Sequence, residues 1–303
     1  MSEGEDLPRI IEDISERVRR RLEAARAGKE QPCQTARPAA VEVQALPACG
    51  PSCSGCTAFD NCGTALAVRS GVGRIAPEMV RTSADIAPYI DHTLLKPDAT
   101  RAEVVKLAEE AKKYGFATVC VNSANVATAA RVLAGSKTVA IAVVGFPLGA
   151  GLPSAKAYEA REAVRCGARE IDMVINIGAL KAKDYALVLK DIEVVVEASR
   201  PYPVKVILET SQLALEEKII GCALSKAAGA AFVKTSTGFT GGGATAEDIS
   251  LMRRVVGEDV GVKASGGVRS TEDAMKMIQA GANRIGASAS IAIITGQKSN
   301  SKY

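Results

Sequence analysis

The sequence predicts an α/β protein: a (β/α)8 barrel behind an N-terminal helical and Cys-rich extension. Three observations carry that expectation. Strand-like and helix-like stretches alternate eight times within about 210 residues, a length one barrel can use. Several helical stretches stop at a glycine, namely Gly115, Gly135, Gly167, Gly229, Gly257 and Gly281, the residue that tolerates a left-handed C-cap. The rival architecture, a doubly wound open sheet, normally places a Gly-rich dinucleotide loop after its first strand, and none is present there.

Residues 1–30 come first and read as an amphipathic helix. Leu7, Ile10, Ile11, Ile14, Val18 and Leu22 form one stripe of a 3.6-residue period. Asp6 and Pro8 are start signals and Gly28 is a stop. Acidic Glu12, Asp13 and Glu16 precede basic Arg17, Arg19, Arg20, Arg21 and Arg26, the polarity that suits a helix dipole. Residues 31–83 read as a Pro-rich linker in which charges thin out. Cys49, Cys53, Cys56 and Cys62 stand there at spacings that suit a Cys-ligated zinc or iron–sulfur site, with a disulfide knot as the alternative.

Residues 84–303 hold the TIM barrel. Its predicted strands are Tyr89–Leu94, Phe116–Val121, Thr138–Gly145, Glu170–Ile177, Val204–Glu209, Phe232–Thr235, Val260–Ala264 and Arg284–Ala287. Predicted helices lie near 101–114, 123–134, 154–166, 182–199, 213–228, 245–256 and 271–280.

Composition narrows the function. The chain has 303 residues, 47% of them hydrophobic, and a net charge of +4 without a long basic block, which argues against nucleic acid as the main partner. No apolar run approaches the ~20 residues of a membrane span, and the acidic start Ser2-Glu3-Gly4-Glu5-Asp6 is no secretory signal, so a cytoplasmic location is expected. With one histidine, His92, multi-His metal sites are excluded. Lysine and carboxylate chemistry is the expected currency.

In a barrel of this kind the chemistry sits at the C-terminal strand ends. Strand six carries Lys234 and strand seven carries Lys263, each in an apolar run. Neighbouring strands lie ~4.8 Å apart, so two inward ammoniums at similar heights destabilise each other, and desolvation adds to this. At least one amine then has a depressed pKa, as imine formation requires. Asp172 on strand four supplies a carboxylate to pair with them and relay protons. The bland alternative is a structural ion-pair cluster. Gly266 and Gly267 after strand seven, Gly286 and Ser288 at strand eight, and Gly238 and Gly241–Gly243 after strand six make a phosphorylated substrate the expectation. His92 reads as a packed, hydrogen-bonded residue rather than a general base, and Cys120 as a small apolar one.

These residues resemble the deoxyribose-phosphate aldolase family. The resemblance rests on Asp91-His92-Thr93-Leu94-Leu95-Lys96-Pro97, Glu170-Ile171-Asp172-Met173-Val174-Ile175-Asn176, Lys205-Val206-Ile207-Leu208-Glu209-Thr210, Val233-Lys234-Thr235-Ser236-Thr237-Gly238-Phe239, Gly242-Gly243-Ala244-Thr245, Val262-Lys263-Ala264-Ser265-Gly266-Gly267-Val268-Arg269 and Arg284-Ile285-Gly286-Ala287-Ser288. These segments run in order across residues 84–295. The resemblance implies that Lys234 forms the Schiff base, Lys263 lowers its pKa and Asp172 relays protons. It also implies that Gly266, Gly267, Gly286 and Ser288 contact phosphate, and that catalysis needs no cofactor. The implied reaction is reversible cleavage of 2-deoxyribose 5-phosphate to acetaldehyde and glyceraldehyde 3-phosphate. Departures from the pattern are Ala289, where some relatives carry a second serine, and Ser211 after Glu209-Thr210. Tyr303 stands where some relatives use a mobile tyrosine.

Alternatives stay open. The barrel could serve another sugar phosphate, or be an inactive accessory protein. The N-terminal helix resembles the encapsulation peptides of bacterial microcompartment enzymes, which implies shell proteins as partners of residues 7–26 and a location inside such a compartment. Its rivals are packing on the barrel or lying on a membrane. A homo-oligomer is expected.

Overall fold

Eight parallel strands close into a barrel in sequence order: β1 Ile90–Leu94, β2 Thr118–Asn122, β3 Val139–Val144, β4 Ala168–Val174, β5 Val204–Ile207, β6 Phe232–Lys234, β7 Gly261–Ser265 and β8 Arg284–Ala287. The computed structural model describes residues 7–27, 75 and 77–296. Cys49, Cys53, Cys56 and Cys62 lie outside the described residues, as does Tyr303.

The helices are α1 Leu7–Ala27, α2 Arg101–Tyr114, α3 Val126–Leu133, α4 Pro153–Arg165, α5 Ile177–Lys181, α6 Tyr185–Ser199, α7 Leu215–Ala227, α8 Ala246–Val256, α9 Thr271–Gln279 and α10 Ser290–Thr295. Local chemistry sets their ends. Thr100 and Glu103 form a capping box on α2, and Ser270 and Asp273 form one on α9. The six predicted stop glycines all have positive φ. Three expectations shift. The stretch 182–199 begins at Tyr185, because the short α5 precedes it, and predicted strand four overshoots, because the Asn176 side chain caps α5. The stretch 123–134 opens with the 3-10 turn Ser123–Asn125 before α3.

The core is the apolar layer between strands and helices, including Val119, Ile171, Val206, Val233, Val262 and Ile285, all fully buried. These alternate along their strands with residues that face the lumen. The period of two therefore sends Asp91, Glu170, Asp172, Lys205, Lys234, Lys263 and Arg284 inward, while His92 points outward. Lys234 and Lys263 are register partners on adjacent strands.

Helix α1 packs on the barrel wall. Ile14 and Val18 are buried against α6 and α7, Arg17 pairs with Glu216 at 3.3 Å, and the Arg21 guanidinium lies 5.5 Å from the Tyr185 ring centroid. Among the described residues no helix is long and apolar enough to cross a membrane. Most helical stability in proteins comes from packing an apolar face rather than from propensity, so the order of α1 depends on that docking. Val18→Asp is expected to undock α1. Hydrogen exchange over residues 7–23 should then rise toward free-peptide rates, while the barrel's Tm moves by less than about 2 °C.

Candidate active site

At the lumen centre one carboxylate takes three lysines. Asp172 Oδ2 accepts from Lys234 Nζ at 3.0 Å and from Lys263 Nζ at 2.8 Å, and its Oδ1 accepts from Lys205 Nζ at 3.0 Å. Asp91 Oδ2 pairs with Lys263 Nζ at 2.5 Å, and Asp91 Oδ1 accepts from Arg284 at 2.8 Å and from the Thr118 hydroxyl at 2.7 Å. Glu170 pairs with Lys205 and, at 3.1 Å, with Arg284. Below the lysines, Phe232 presents its ring to Lys205 and Arg284 at 5.5 and 5.4 Å. All seven ionisable side chains are buried.

The two catalytic candidates are not equivalent. Lys263 has two carboxylates, Asp172 and Asp91, and Lys234 has one, which it shares. Burial pushes both amines toward neutrality. At Lys234 burial dominates, the Lys263 charge adds to it, and Asp172 opposes; its pKa lies below the ordinary lysine value. At Lys263 burial is outweighed by Asp172 and Asp91, and its pKa is raised. Asp172 is held well below the carboxylate range because Lys205, Lys263 and Lys234 outweigh its burial. The two ammoniums share one oxygen and so lie less than about 6 Å apart. At an effective dielectric of about 20 their repulsion is roughly 3 kcal/mol, and losing the Lys234 proton relieves it. The arrangement thus lowers the Lys234 pKa and raises that of Lys263 beside it.

Above Lys234 opens a cavity of about 430 Å³ at the C-terminal strand ends, also lined by Thr93, Leu95, Thr237 and Phe239. Gly266, Gly267, Gly286 and Ser288 all line it, as do Gly238 and Gly241–Gly243. A wider groove of about 960 Å³ runs along the outer wall by Tyr158, Arg161 and Lys190, but it is open surface without the buried charges of the lumen. Gly266 and Gly267 have φ of +84° and +80°, backbone that other residues rarely adopt. Gly286 has a role the sequence did not suggest: a Cβ there would stand 2.8 Å from Lys263 Cε.

The structure brings Lys234, Lys263 and Asp172 together and places all four predicted phosphate residues on one cavity. Sequence reasoning assigned no role to Lys205, Glu170 or Arg284. A usable signal was present: Glu170 stands two residues before Asp172 and so shares its face, and Lys205 interrupts the apolar Val204–Ile207. His92 is packed, with Nδ1 2.9 Å from Ser290 Oγ and Nε2 3.1 Å from Glu110 Oε2. Cys120 joins Leu95, Ile141 and Val143 in an apolar lumen cluster, and burial pushes its thiol up to about 11. Among the described residues no group of three metal-ligating side chains converges.

Residues 86–299 match the profile of the DeoC/LacD family aldolase. This chain belongs to that family. Among its relatives, the deoxyribose-phosphate aldolase of Halalkalibacterium halodurans is 59% identical over 223 residues, covering 73% of this chain and all of that one. The deoxyribose-phosphate aldolase of Macrococcus caseolyticus is 55% identical over 219 residues, covering 72% of this chain and all of its own. Among solved structures, the tetrameric deoxyribose phosphate aldolase from Aeropyrum pernix is 29% identical with a TM-score of 0.68, covering 76% of this chain and 96% of that one. Each match leaves about a quarter of this chain uncovered.

The packing of Gly286 against Lys263 gives a direct test within this aldolase family member. Gly286→Ala should push Lys263 off its two carboxylates, cutting aldolase kcat about tenfold or more and costing about 1–3 kcal/mol of stability in denaturant titration.

Proposed function

We propose that this protein catalyses reversible aldol cleavage of 2-deoxy-D-ribose 5-phosphate to acetaldehyde and D-glyceraldehyde 3-phosphate through a Schiff base on Lys234. The observation that carries this reading is the unequal pairing of two buried lysines under a glycine-lined cavity.

The neutral Lys234 amine attacks the substrate aldehyde carbon, and loss of water gives an imine. Removal of the proton on the C3 hydroxyl breaks the C2–C3 bond. The bonding pair moves into the imine, giving an enamine and releasing glyceraldehyde 3-phosphate. Protonation of the enamine and hydrolysis free acetaldehyde and restore Lys234. Asp172, between the two lysines, carries protons to and from these steps, and Lys263 stays charged. The imine is the electron sink, so this chemistry uses no cofactor. Backbone N–H groups around Gly266, Gly267 and Gly286, with Ser288, take the phosphate.

Borohydride reduction in the presence of 2-deoxyribose 5-phosphate should leave a mass adduct on the Lys234 peptide, absent in Lys234→Ala. A folded enzyme with no lysine adduct sinks this mechanism; an adduct only with other sugar phosphates moves the reading to those substrates. The pH profile gives a second expectation. In Lys263→Leu the neighbouring charge is gone and Asp172 is freer to hold the Lys234 proton, so the Lys234 pKa rises. The acid limb of kcat/KM should move to higher pH, with a loss of about 10²–10⁴-fold at pH 7.

Several features of the extension complete the proposal. The proposed division of the chain is residues 1–30, 31–83 and 84–303, with catalysis assigned to the last. A zinc or iron–sulfur site at Cys49, Cys53, Cys56 and Cys62 rests on spacing alone. Encapsulation by shell proteins rests on the amphipathic pattern of residues 7–26, yet Ile14 and Val18 of that stripe are buried against α6 and α7, which favours barrel packing and requires α1 to leave before a shell could bind those two residues. The three described cysteines, Cys120, Cys166 and Cys222, are unpaired, which fits a reducing cytoplasm. A homo-oligomer is the assembly we expect.

A further inference from the structure

The turn that follows β5 is built at a cost. Glu209 has φ +58°, a left-handed backbone that a residue with a side chain rarely adopts. Its carboxylate is fully buried, and Oε1 has no hydrogen-bond partner. The aldol chemistry above makes no use of it. What the turn obtains lies on the neighbouring strand end. Glu209 Oε2 accepts from the Thr237 backbone N–H at 3.1 Å and also from the Thr237 hydroxyl. Thr237 Oγ1 in turn accepts from the Phe239 N–H at 3.1 Å. The carboxylate thus fixes the start of the loop after β6.

The far end of that loop is fixed as well. Ala244 N–H donates to the Gly266 carbonyl at 2.9 Å, and a Cβ on Gly243 would stand 2.7 Å from that same oxygen. The middle is seated too, since a Cβ on Gly242 would stand 2.3 Å from Ser211 Cβ and Oγ. Ser211 is therefore the residue that the β5 turn presses against the loop backbone. Between these anchors the loop lines the cavity with Gly238 and Gly241–Gly243, facing Gly266 and Gly267. Phe239 closes one side, edge-on to Phe146 with ring centroids 5.1 Å apart. A loop with glycine at 238 and 241–243 has few side chains to hold its shape, so its N–H groups point at an anion only if its ends are held.

We propose that Glu209 is a positioning residue for phosphate selectivity: it clamps Thr237 and thereby holds the loop 238–243 in the shape that receives the substrate's phosphate. This rests on the aldolase reading above. The Glu209 carboxylate bonds Thr237 and not the Lys234 amine, so losing it should weaken binding of phosphorylated substrate and leave imine formation intact.

The test compares a phosphate-free step with a phosphate-dependent one. The first is the rate at which borohydride traps the acetaldehyde imine on Lys234; the second is kcat/KM for 2-deoxyribose 5-phosphate. Glu209→Ala removes the clamp, Glu209→Asp keeps the charge but withdraws it by one methylene, and Glu209→Gln keeps an oxygen that accepts from both Thr237 groups. In the Ala and Asp variants kcat/KM should fall about tenfold or more, carried by KM, with imine trapping within about twofold of wild type. Glu209→Gln should recover to within about threefold. Equal losses on both readouts show a merely structural role and overturn the proposal; so does no loss on either. If Glu209→Ala does not fold, Glu209→Asp decides. A wild-type enzyme that forms no acetaldehyde adduct, or does not cleave the sugar phosphate, sinks the underlying aldolase reading instead.

Discussion

Asp172 is a buried carboxylate with three lysines on its two oxygens, and the rest of the site follows from how that charge is divided. Lys205 takes one oxygen to itself. Lys234 and Lys263 share the other, and of these two only Lys263 has a second carboxylate, Asp91. In a buried lumen a proton is cheap to keep where two carboxylates meet and costly where half of one must serve. The fold therefore makes one amine permanently charged and its neighbour readily neutral, without any difference in the two side chains themselves.

That division depends on charges deeper in the barrel. Glu170 holds Lys205 from below, and Arg284 bridges Glu170 to Asp91. The lower layer thus keeps both acceptors of Lys263 ionised and in place. Truncating one member of a buried network of this kind leaves an uncompensated charge, typically a loss of several kcal/mol, so stability and catalytic charge placement are coupled here. Gly286 extends the same coupling to shape, because its missing Cβ is the space that Lys263 occupies.

The barrel was legible in the sequence because alternation and stop glycines are local signals. α2 falls at the predicted 101–114, and each of the six predicted stop glycines has positive φ. Lys234, Lys263 and Asp172 were legible because each interrupts an apolar strand near its end. The family resemblance distinguished the two lysines, but its physical cause was not derivable from the chain, since it depends on Asp91, which is distant in sequence and adjacent only once β1 closes on β8. Lys205, Glu170 and Arg284 escaped for a related reason: an inward charge deep in a strand looks like any other polar interruption until its partners are known. Helix α1 shows the limit of periodicity, which identifies an apolar stripe but not what covers it. Ile14 and Val18, from the stripe that suggested shell proteins as partners, rest on α6 and α7.

The central claim is that unequal carboxylate pairing leaves Lys234 neutral and Lys263 charged. Site-resolved reductive methylation across pH, read lysine by lysine with peptide mass spectrometry, tests it directly. The account predicts that Lys234 reacts with a midpoint well below that of exposed lysines such as Lys106, while Lys263 stays unmodified throughout. Equal midpoints for Lys234 and the exposed lysines, or preferential modification of Lys263, would contradict it.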